Sequence, residues 1–361
     1  MFRRTISGII GILLASQLTC QSFALNTSAQ SAVLLEQASG RVLYESNADE
    51  ELLIASTTKI MTALVAIEHG DLDAVYTVTA EDMAEGSSMY LRVGDKLTLE
   101  ELLYGLLLVS GNDAARAVAH CVSGTEEDFV ALMNQTAQSL GMTHSSFANP
   151  NGLDAEGHYA SARDMAVLMV EAMHNEVFRR MVSTEHITIG ERYLKNHNKL
   201  LQIYEGCVGG KTGFTKAAGR TLVSAAEREG MTLICVTLKD GDDWNDHMTL
   251  FDYGFANYHR ETLVTAQQPL AQTMVVGGSK SNVLLVAEHD LSYPVAEGEQ
   301  LTLKITVPTV VTAPITARQV LGTAFAYLDG KEVASVNLVA TETVLPPRTE
   351  EKHGFLKNLF H

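Results

Sequence analysis

The sequence predicts an α+β domain followed by a small all-β domain. Three features indicate this: strand-like runs at both ends of residues 25–260, a block of capped helices between them, and short β-branched runs separated by turns over 261–345. Strands that precede and follow a run of helices pair in one sheet when the two ends of a domain meet. The length of 361 residues also favours two domains, because it exceeds what one compact core normally organises.

The first expected elements are a hairpin and a helix. Residues 31–45 contain two apolar runs that turn at Ser39 and Gly40, which predicts two short paired strands. A helix is expected over 56–69, and Gly70 would end it.

Capping signals then divide a mainly helical block. Thr98 and Glu101 have the spacing of a capping box and precede an apolar run, which is typical of a helix start. Further helices are expected over 112–124, 125–141 and 161–174.

Strand character returns after the helices. Residues 220–226 and 231–238 are apolar, β-branched runs separated by a polar turn, which predicts an antiparallel pair, and a helix is expected over 243–258. In the all-β domain, strands are expected at 282–287, 300–307, 313–320 and 332–339.

The amino terminus has the order of a secretory signal peptide. Arg3 and Arg4 precede an apolar run over 6–18, and Ser22 and Ala24 supply the small residues of a cleavage site. Removal of residues 1–24 would leave an exported, extracytoplasmic protein of the cell wall or periplasm. A buried amphipathic helix is the alternative. Nothing later in the sequence is long and apolar enough to cross a bilayer.

Composition excludes several functional classes. The net charge is −17 and no basic block occurs in the sequence, so electrostatic capture of nucleic acid is not expected. The cysteines that follow the predicted signal peptide, Cys121, Cys207 and Cys235, lack the spacing of a disulfide framework or a zinc site. The 12 histidines form no His-Glu-x-x-His motif. Neither a metal nor another cofactor is expected.

The carboxy-terminal tail, 346–361, has two interpretations. Phe355, Leu356, Leu359 and Phe360 would share one face of a short helix, which is typical of an interfacial membrane contact. Ten helical residues span only about 15 Å, so a terminal segment that frays or packs on the protein is the alternative.

Three short strings have the residue types of nucleophilic catalysis: Ser56-Thr-Thr-Lys59, Ser110-Gly-Asn112 and Lys211-Thr-Gly213. Ser56 and Lys59 are three residues apart at a predicted helix start, so their side chains share one face. A lysine can take the proton of a serine hydroxyl once burial or nearby positive charge lowers its pKa. The helix amino terminus would direct backbone N–H groups at a developing oxyanion.

The other two strings would complete a cleft. Ser110 and Asn112 fall between two predicted helices, where a turn can project a hydroxyl and an amide. Lys211 and Thr212 would lie on an edge strand, where a cation and a hydroxyl can hold a carboxylate. Gly213 would let a substrate backbone approach this strand closely.

With these strings in this order, the sequence resembles the serine-type D-alanyl-D-alanine carboxypeptidases, the low-molecular-mass penicillin-binding proteins. The resemblance covers residues 30–260 closely and the β domain more weakly. It implies a penicillin-binding/β-lactamase-like domain, in which helices flank an antiparallel sheet, followed by a small all-β sandwich. It rests on the strings Ala55-Ser-Thr-Thr-Lys-Ile-Met-Thr-Ala63, Gly86-Ser-Ser-Met89, Leu106-Leu-Leu-Val-Ser-Gly-Asn-Asp-Ala-Ala115, Asn149-Pro-Asn-Gly-Leu-Asp154 and Gly210-Lys-Thr-Gly-Phe-Thr215.

The resemblance also implies a role for each residue. Ser56 would be the acylated nucleophile, Lys59 its general base, and Ser110 a proton relay to the leaving D-alanine. The backbone N–H groups of Ser56 and Phe214 would form the oxyanion hole. The substrate would be a peptidoglycan stem peptide ending in D-Ala-D-Ala, and β-lactams would inhibit covalently. The substrate-binding residues would be Asn112, Lys211, Thr212, Gly213 and Phe214.

The sequence departs from this family at one point, and three alternative functions remain. Some members of that family hold the substrate carboxylate with an arginine after the last core strand, whereas residues 239–247 contain none here. Arg220 is the candidate replacement, with an ordinary surface charge as the alternative. A β-lactamase or a DD-endopeptidase on the same fold, and a catalytically silent cell-wall-binding protein, remain alternative functions. The sequence lacks the Glu-x-x-Leu-Asn string that many β-lactamases use to activate water.

Overall fold

Residues 25–347 are described by a computed structural model. The predicted signal peptide, 1–24, and residues 348–361 of the predicted tail lie outside the described residues. The helices are α1 Lys59–His69, α2 Leu99–Leu108, α3 Asn112–Ser123, α4 Glu126–Ser139, α5 Ala162–His174, α6 Glu176–Val182, α7 Leu200–Ile203 and α8 Asp243–Asn257. The strands are β1 Ser31–Glu36, β2 Val42–Ser46, β3 Val75–Thr77, β4 Lys96–Thr98, β5 His186–Ile189, β6 Arg192–Lys195, β7 Cys207–Thr215, β8 Gly219–Arg228, β9 Met231–Leu238, β10 Tyr258–Val264, β11 Pro269–Val276, β12 Asn282–Ala287, β13 Leu291–Ala296, β14 Leu301–Thr306, β15 Val310–Thr312, β16 Val320–Leu328 and β17 Lys331–Ala340.

The central sheet has five strands in the order β2-β1-β9-β8-β7, and every neighbouring pair is antiparallel. The hairpin β1–β2 and the pair β8–β9 confirm the two strand pairings expected from the sequence. Strand β1, from the start of the domain, lies between β2 and β9, so the two ends of the domain meet in one sheet. The Lys211 string lies on β7 at the sheet edge, as predicted.

Helices cover both faces of this sheet. On one face α5 packs against β1 and β9, and behind it α1, α2 and α3 build the largest apolar core. On the other face α8 packs against β8 and β9, where Leu250 and Phe251 are fully buried. The first core fixes α1 and the α2–α3 turn relative to the sheet, which places all three strings near the free edge of β7.

The predicted helix ends are confirmed where capping residues mark them. Thr98 and Glu101 form the capping box of α2. Thr125 caps α4 and Ser161 caps α5 through their hydroxyl groups. Gly124 ends α3 with φ of 80°, a left-handed conformation that glycine adopts without steric cost.

The helix expected over 56–69 begins differently from the prediction. A 3₁₀ turn occupies Ala55–Thr58, and the α-helix starts only at Lys59. Ala55 has φ of 47°, and the carbonyl oxygen of Ile54 accepts from both the N–H and the hydroxyl group of Thr57. These local bonds tighten the first turn, so Ser56 lies in that turn rather than in the helix proper.

The β-rich region after α8 contains a six-stranded sheet in the order β14-β16-β17-β12-β11-β15 and a separate pair, β10–β13. Its apolar core includes Leu285, Leu338 and Val344. The strands expected near 282–287, 300–307 and 332–339 are confirmed. The strand expected at 313–320 is wrong: Pro314 has no N–H to donate, and residues 316–319 form a turn between β15 and β16.

The domain boundary, membrane-spanning segments and the cysteines were also considered in the sequence. The domain boundary expected between residues 260 and 261 stays a prediction, and β10 begins at Tyr258. Among residues 25–347, none of the helices combines the length and the apolar character that a bilayer crossing requires. The cysteines in this range, Cys121, Cys207 and Cys235, are free thiols.

Candidate active site

Ser56 and Lys59 face each other at the start of α1. The Oγ atom of Ser56 lies 3.0 Å from Nζ of Lys59. The spacing of three residues brings both side chains to one side of the 3₁₀ turn. The Lys59 side chain has no exposed surface, whereas Ser56 borders an open cleft. The arrangement places an amine behind a hydroxyl that solvent can reach.

Polar groups hold the Lys59 amine in place. Its Nζ lies 2.7 Å from Oδ1 of Asn112 and also contacts the backbone oxygen of Asn151. Burial lowers the pKa of Lys59 well below its usual value, and the positive charge of Lys211 lowers it further, while Asp113 acts in the opposite direction. A free amine, which can accept a proton, is therefore favoured at this position.

The turn between α2 and α3 supplies Ser110 and Asn112, both almost completely buried. Ser110 has φ of 60°, an uncommon conformation for a residue with a side chain, and such strain occurs at functional turns. The Asn112 side-chain N–H donates to the carbonyl of Glu85, and its backbone N–H donates to the carbonyl of Ser87. These bonds turn the Asn112 amide oxygen towards Lys59.

Strand β7 supplies a second buried amine. Nζ of Lys211 lies 3.0 Å from Oγ of Ser110 and donates to the carbonyl of Thr212. Burial lowers the pKa of Lys211 to about 7. Gly213, two residues further on, has no room for a side chain, because a Cβ atom there would lie 2.9 Å from the backbone nitrogen of Ser56. The protein itself, rather than a substrate backbone, makes the close approach at Gly213.

The eight predicted site residues surround one cleft of about 280 Å³. Lys59, Asn112 and Lys211 lie behind its wall, linked to it by the hydrogen bonds above. We call this the Ser56 cleft. The residues that line it are Ser56, Ser87, Ser110, His197, Thr212, Gly213, Phe214, Arg220, Asp243 and Trp244.

Comparison with known proteins shows which family the chain belongs to. The profile of peptidase family S11, described as D-alanyl-D-alanine carboxypeptidase, matches residues 18–242. The chain belongs to the D-alanyl-D-alanine carboxypeptidase family. The profile of the penicillin-binding protein 5 C-terminal domain matches residues 258–345. The β-rich region therefore corresponds to that C-terminal domain.

Several named proteins are similar in sequence to most of the chain. It is 34% identical to the D-alanyl-D-alanine carboxypeptidase DacF of Bacillus subtilis, an alignment that covers 91% of this chain and 87% of DacF. It is 35% identical to DacC of Escherichia coli, with 89% and 85% covered. The crystal structure of penicillin-binding protein 5 from Haemophilus influenzae superimposes with a TM-score of 0.76 at 29% identity, covering 89% of this chain and 98% of that one. The penicillin-binding/β-lactamase-like fold is thereby confirmed.

Arg220, the candidate replacement for the missing arginine, lines the Ser56 cleft, and the two residues that hold it, Asp243 and Trp244, were not predicted. Arg220, the second residue of β8, pairs with Phe214 of β7, and its guanidinium donates twice to Oδ1 of Asp243, at 2.9 and 2.6 Å. The same guanidinium lies 5.6 Å from the ring centroid of Trp244. Asp243 and Trp244 come from the start of α8, and no local pattern in the sequence there indicates a contact with the cleft.

A buried histidine supports the Ser56 turn from behind. His158 accepts a hydrogen bond at Nδ1 from the backbone N–H of Ala148, so its proton is on Nε2, which lies 2.7 Å from the hydroxyl oxygen of Thr58. That hydroxyl donates in turn to the carbonyl of Ala55. Burial, which outweighs the attraction of Asp154, lowers the pKa of His158 to about 4. The neutral ring is therefore part of the folded state.

The lowered pKa of His158 predicts that the folded state is less stable in acid. Between its usual pKa of about 6.5 and the folded value of about 4, the unfolded chain binds a proton that the folded chain does not. The stability is thus complete above pH 6.5 and decreases by about 3 kcal/mol as the pH falls through this range. We expect His158→Gln to make denaturant unfolding less dependent on pH between 6.5 and 4. The exposed His259→Gln is the control, and equal slopes in both variants would contradict the assignment.

Within residues 25–347, the His, Cys, Asp and Glu side chains form no group of three or more that could hold a metal ion.

Proposed function

We propose that the chain removes the terminal D-alanine from peptidoglycan stem peptides through an acyl-enzyme on Ser56. The observation that carries this proposal is the 3.0 Å contact between the Ser56 hydroxyl and the buried Lys59 amine, in the cleft of a D-alanyl-D-alanine carboxypeptidase family member. A buried amine of lowered pKa is the base that a serine hydroxyl needs to become a nucleophile.

In the acylation step, Lys59 takes the proton of Ser56, and Oγ attacks the carbonyl carbon of the penultimate D-alanine. The negative charge that develops on the carbonyl oxygen is stabilised by the backbone N–H groups of Ser56 and Phe214. The packing of Gly213 against the backbone nitrogen of Ser56 supports this assignment, because it brings β7 next to the nucleophile's own N–H.

The leaving D-alanine occupies the Lys211 side of the cleft. Its carboxylate is bound by Lys211 and Thr212. Its nitrogen takes a proton from Ser110, whose hydroxyl is bonded to Lys211, and Ser110 regains the proton that Lys59 removed from Ser56. Asn112 aligns the substrate amide while it holds Lys59. Water then hydrolyses the ester on Ser56 and restores the free hydroxyl.

Turnover by the native protein tests this function. The protein is expected to release D-alanine from diacetyl-Lys-D-Ala-D-Ala and to be acylated by nitrocefin with slow turnover. Fast nitrocefin hydrolysis without D-alanine release would instead indicate a β-lactamase. Failure of both reactions would favour the silent wall-binding protein.

Arg220 completes the carboxylate site in this proposal. Its guanidinium lines the cleft, and Asp243 and Trp244 hold it in one orientation. We expect Arg220→Ala to raise KM for the tripeptide about tenfold, because a charge-assisted hydrogen bond to the carboxylate is lost, and to change kcat little. Arg220→Lys should raise KM less than Arg220→Ala does.

Two controls separate binding from side effects. Arg220→Ala alone leaves the Asp243 carboxylate beside the substrate, so the double variant Arg220→Ala/Asp243→Asn removes that added repulsion. Arg228→Ala, at the far end of β8, changes the same residue type away from the cleft. A KM equal to that of the native protein in the double variant would show that Arg220 does not bind the carboxylate.

We further propose that residues 1–24 direct export, that the first domain ends near residue 260, and that the tail contacts a membrane interface. The apolar spacing of Phe355, Leu356, Leu359 and Phe360 supports the last point. Deletion of residues 348–361 is expected to shift the protein from the membrane fraction to the soluble fraction of disrupted cells. Equal membrane association of both forms would remove the anchor from the proposal.

A further inference from the structure

The loop formed by residues 149–156 passes directly beside the proposed base. The backbone oxygen of Asn151 contacts Nζ of Lys59. The next residue, Gly152, has no room for a side chain, because a Cβ atom there would lie 2.0 Å from the carbonyl oxygen of Ala55. This segment, which we call the 149–156 loop, is therefore fixed next to the nucleophile.

The same loop opens to solvent at the end of β7. Leu153 exposes 41% of its surface, and its carbonyl accepts from the side chain of Asn149 at 2.9 Å. Asp154 is exposed, and its Oδ1 accepts from the hydroxyl of Thr215, the last residue of β7, at 2.8 Å. These bonds hold an apolar residue and a carboxylate beside one end of the strand.

The direction of the substrate along β7 determines which part of it reaches Asp154. β7 is an edge strand of the central sheet, so an extended peptide can lie along its free side. In the proposed function the terminal carboxylate is bound at Thr212 and the penultimate carbonyl at the N–H of Phe214. The acyl half therefore continues past Phe214 towards Thr215. Because an extended chain rises about 3.3 Å per residue, the residue that precedes the two D-alanines lies beside Thr215 and Asp154.

The chemistry at this position suits a side chain that has an aliphatic stem and an amine at its end. The apolar surface of Leu153 can cover the stem, and the carboxylate of Asp154 can accept from the ammonium group. Glu156 is also exposed on the 149–156 loop. Lys216, in the turn after β7, is the one cation of the loop and that turn, against two carboxylates. The local charge is therefore negative.

We infer that Asp154 binds the free side-chain amine of the residue that precedes the two D-alanines. The preferred substrates are then stem peptides whose third residue from the carboxyl end is a diamino acid with its side-chain amine unmodified. The inference rests on the proposed function and adds to it the recognition of the acyl half. A peptide whose side-chain amine is already acylated has no charge at this position, so it should be a poorer substrate.

The test compares two substrates that differ only at this amine. D-alanine release is measured at low ionic strength from Nα-acetyl-Lys-D-Ala-D-Ala, which has the free amine, and from diacetyl-Lys-D-Ala-D-Ala. The native protein should favour the free amine by about threefold in kcat/KM, within the range that exposed ion pairs contribute. Added salt should reduce this preference. Asp154→Asn should process both peptides equally well, and its amide oxygen can still accept from Thr215, so the loop keeps its position.

Glu156→Gln is the matched control, because it removes the same charge two residues further along the loop. It should keep the native preference. Equal kcat/KM of the native protein on the two peptides would overturn the inference and leave the proposed function intact. A preference that persists in Asp154→Asn, or that Glu156→Gln loses to the same extent, would also overturn it. Failure of the native protein on both peptides would overturn the proposed function itself.

Discussion

Replacing Ser56 with alanine is expected to abolish the covalent adduct that the native protein forms with benzylpenicillin. The acyl group needs an oxygen beside the Lys59 amine, and Oγ of Ser56 is the hydroxyl that lies 3.0 Å from it. Ser110, another serine that lines the cleft, is bonded to Lys211 instead. Without Oγ, we expect no mass increase after prolonged exposure, as measured by mass spectrometry of the intact protein.

A matched control uses the second Ser-x-Asn string of the sequence. Ser335, on β17 of the β-rich region, precedes Asn337 with the same spacing as Ser110 and Asn112. Ser335→Ala should be acylated at the native rate. Thermal unfolding of Ser56→Ala should resemble that of the native protein, because the removed hydroxyl borders solvent. An adduct on the Ser56→Ala protein would disprove the nucleophile assignment.

Lys59→Met should lower the acylation rate by about a thousandfold, within the range that general-base catalysis contributes. Methionine fills a similar buried volume but cannot accept a proton. In the native protein, acylation should slow as the pH falls, because protonation of Lys59 removes the base whose pKa burial has lowered. The variant's residual rate should lack this decrease, which stopped-flow acylation at a series of pH values would measure.

Lys199→Met serves as the control for this variant, because Lys199 is exposed beside α7. It should keep both the rate and the pH profile of the native protein. If Lys59→Met kept the native pH dependence, another group would be the base, and the assignment of Lys59 would be wrong.

Local signals explain which parts of the fold the sequence predicted. Thr98, Thr125 and Ser161 each satisfy a free backbone N–H at a helix start, so they mark helix ends without reference to the rest of the chain. The pairs β1–β2 and β8–β9 are joined by short turns, so their pairing is also local. The eight predicted site residues lie around one cleft, and each belongs to a short string that is visible in the sequence alone.

Features that depend on distant contacts were not predictable in this way. The 3₁₀ turn at Ser56 packs on Gly152, where a Cβ atom would lie 2.0 Å from the carbonyl oxygen of Ala55. The Arg220–Asp243 pair joins β8 to α8 across 23 residues. No local pattern at either end specifies these contacts. The strand predicted at 313–320 is wrong for a local reason. Its β-branched residues did not outweigh Pro314 and the turn that follows.

The pairing of β1 with β9 has a consequence for biosynthesis. Val33 pairs with Val236, about 200 residues later in the chain, so the central ladder of the first domain cannot close until nearly all of that domain has left the ribosome. Pairings this remote in sequence form late, because the intervening loop must be ordered first. The central sheet is therefore completed only when translation of the first domain is nearly finished.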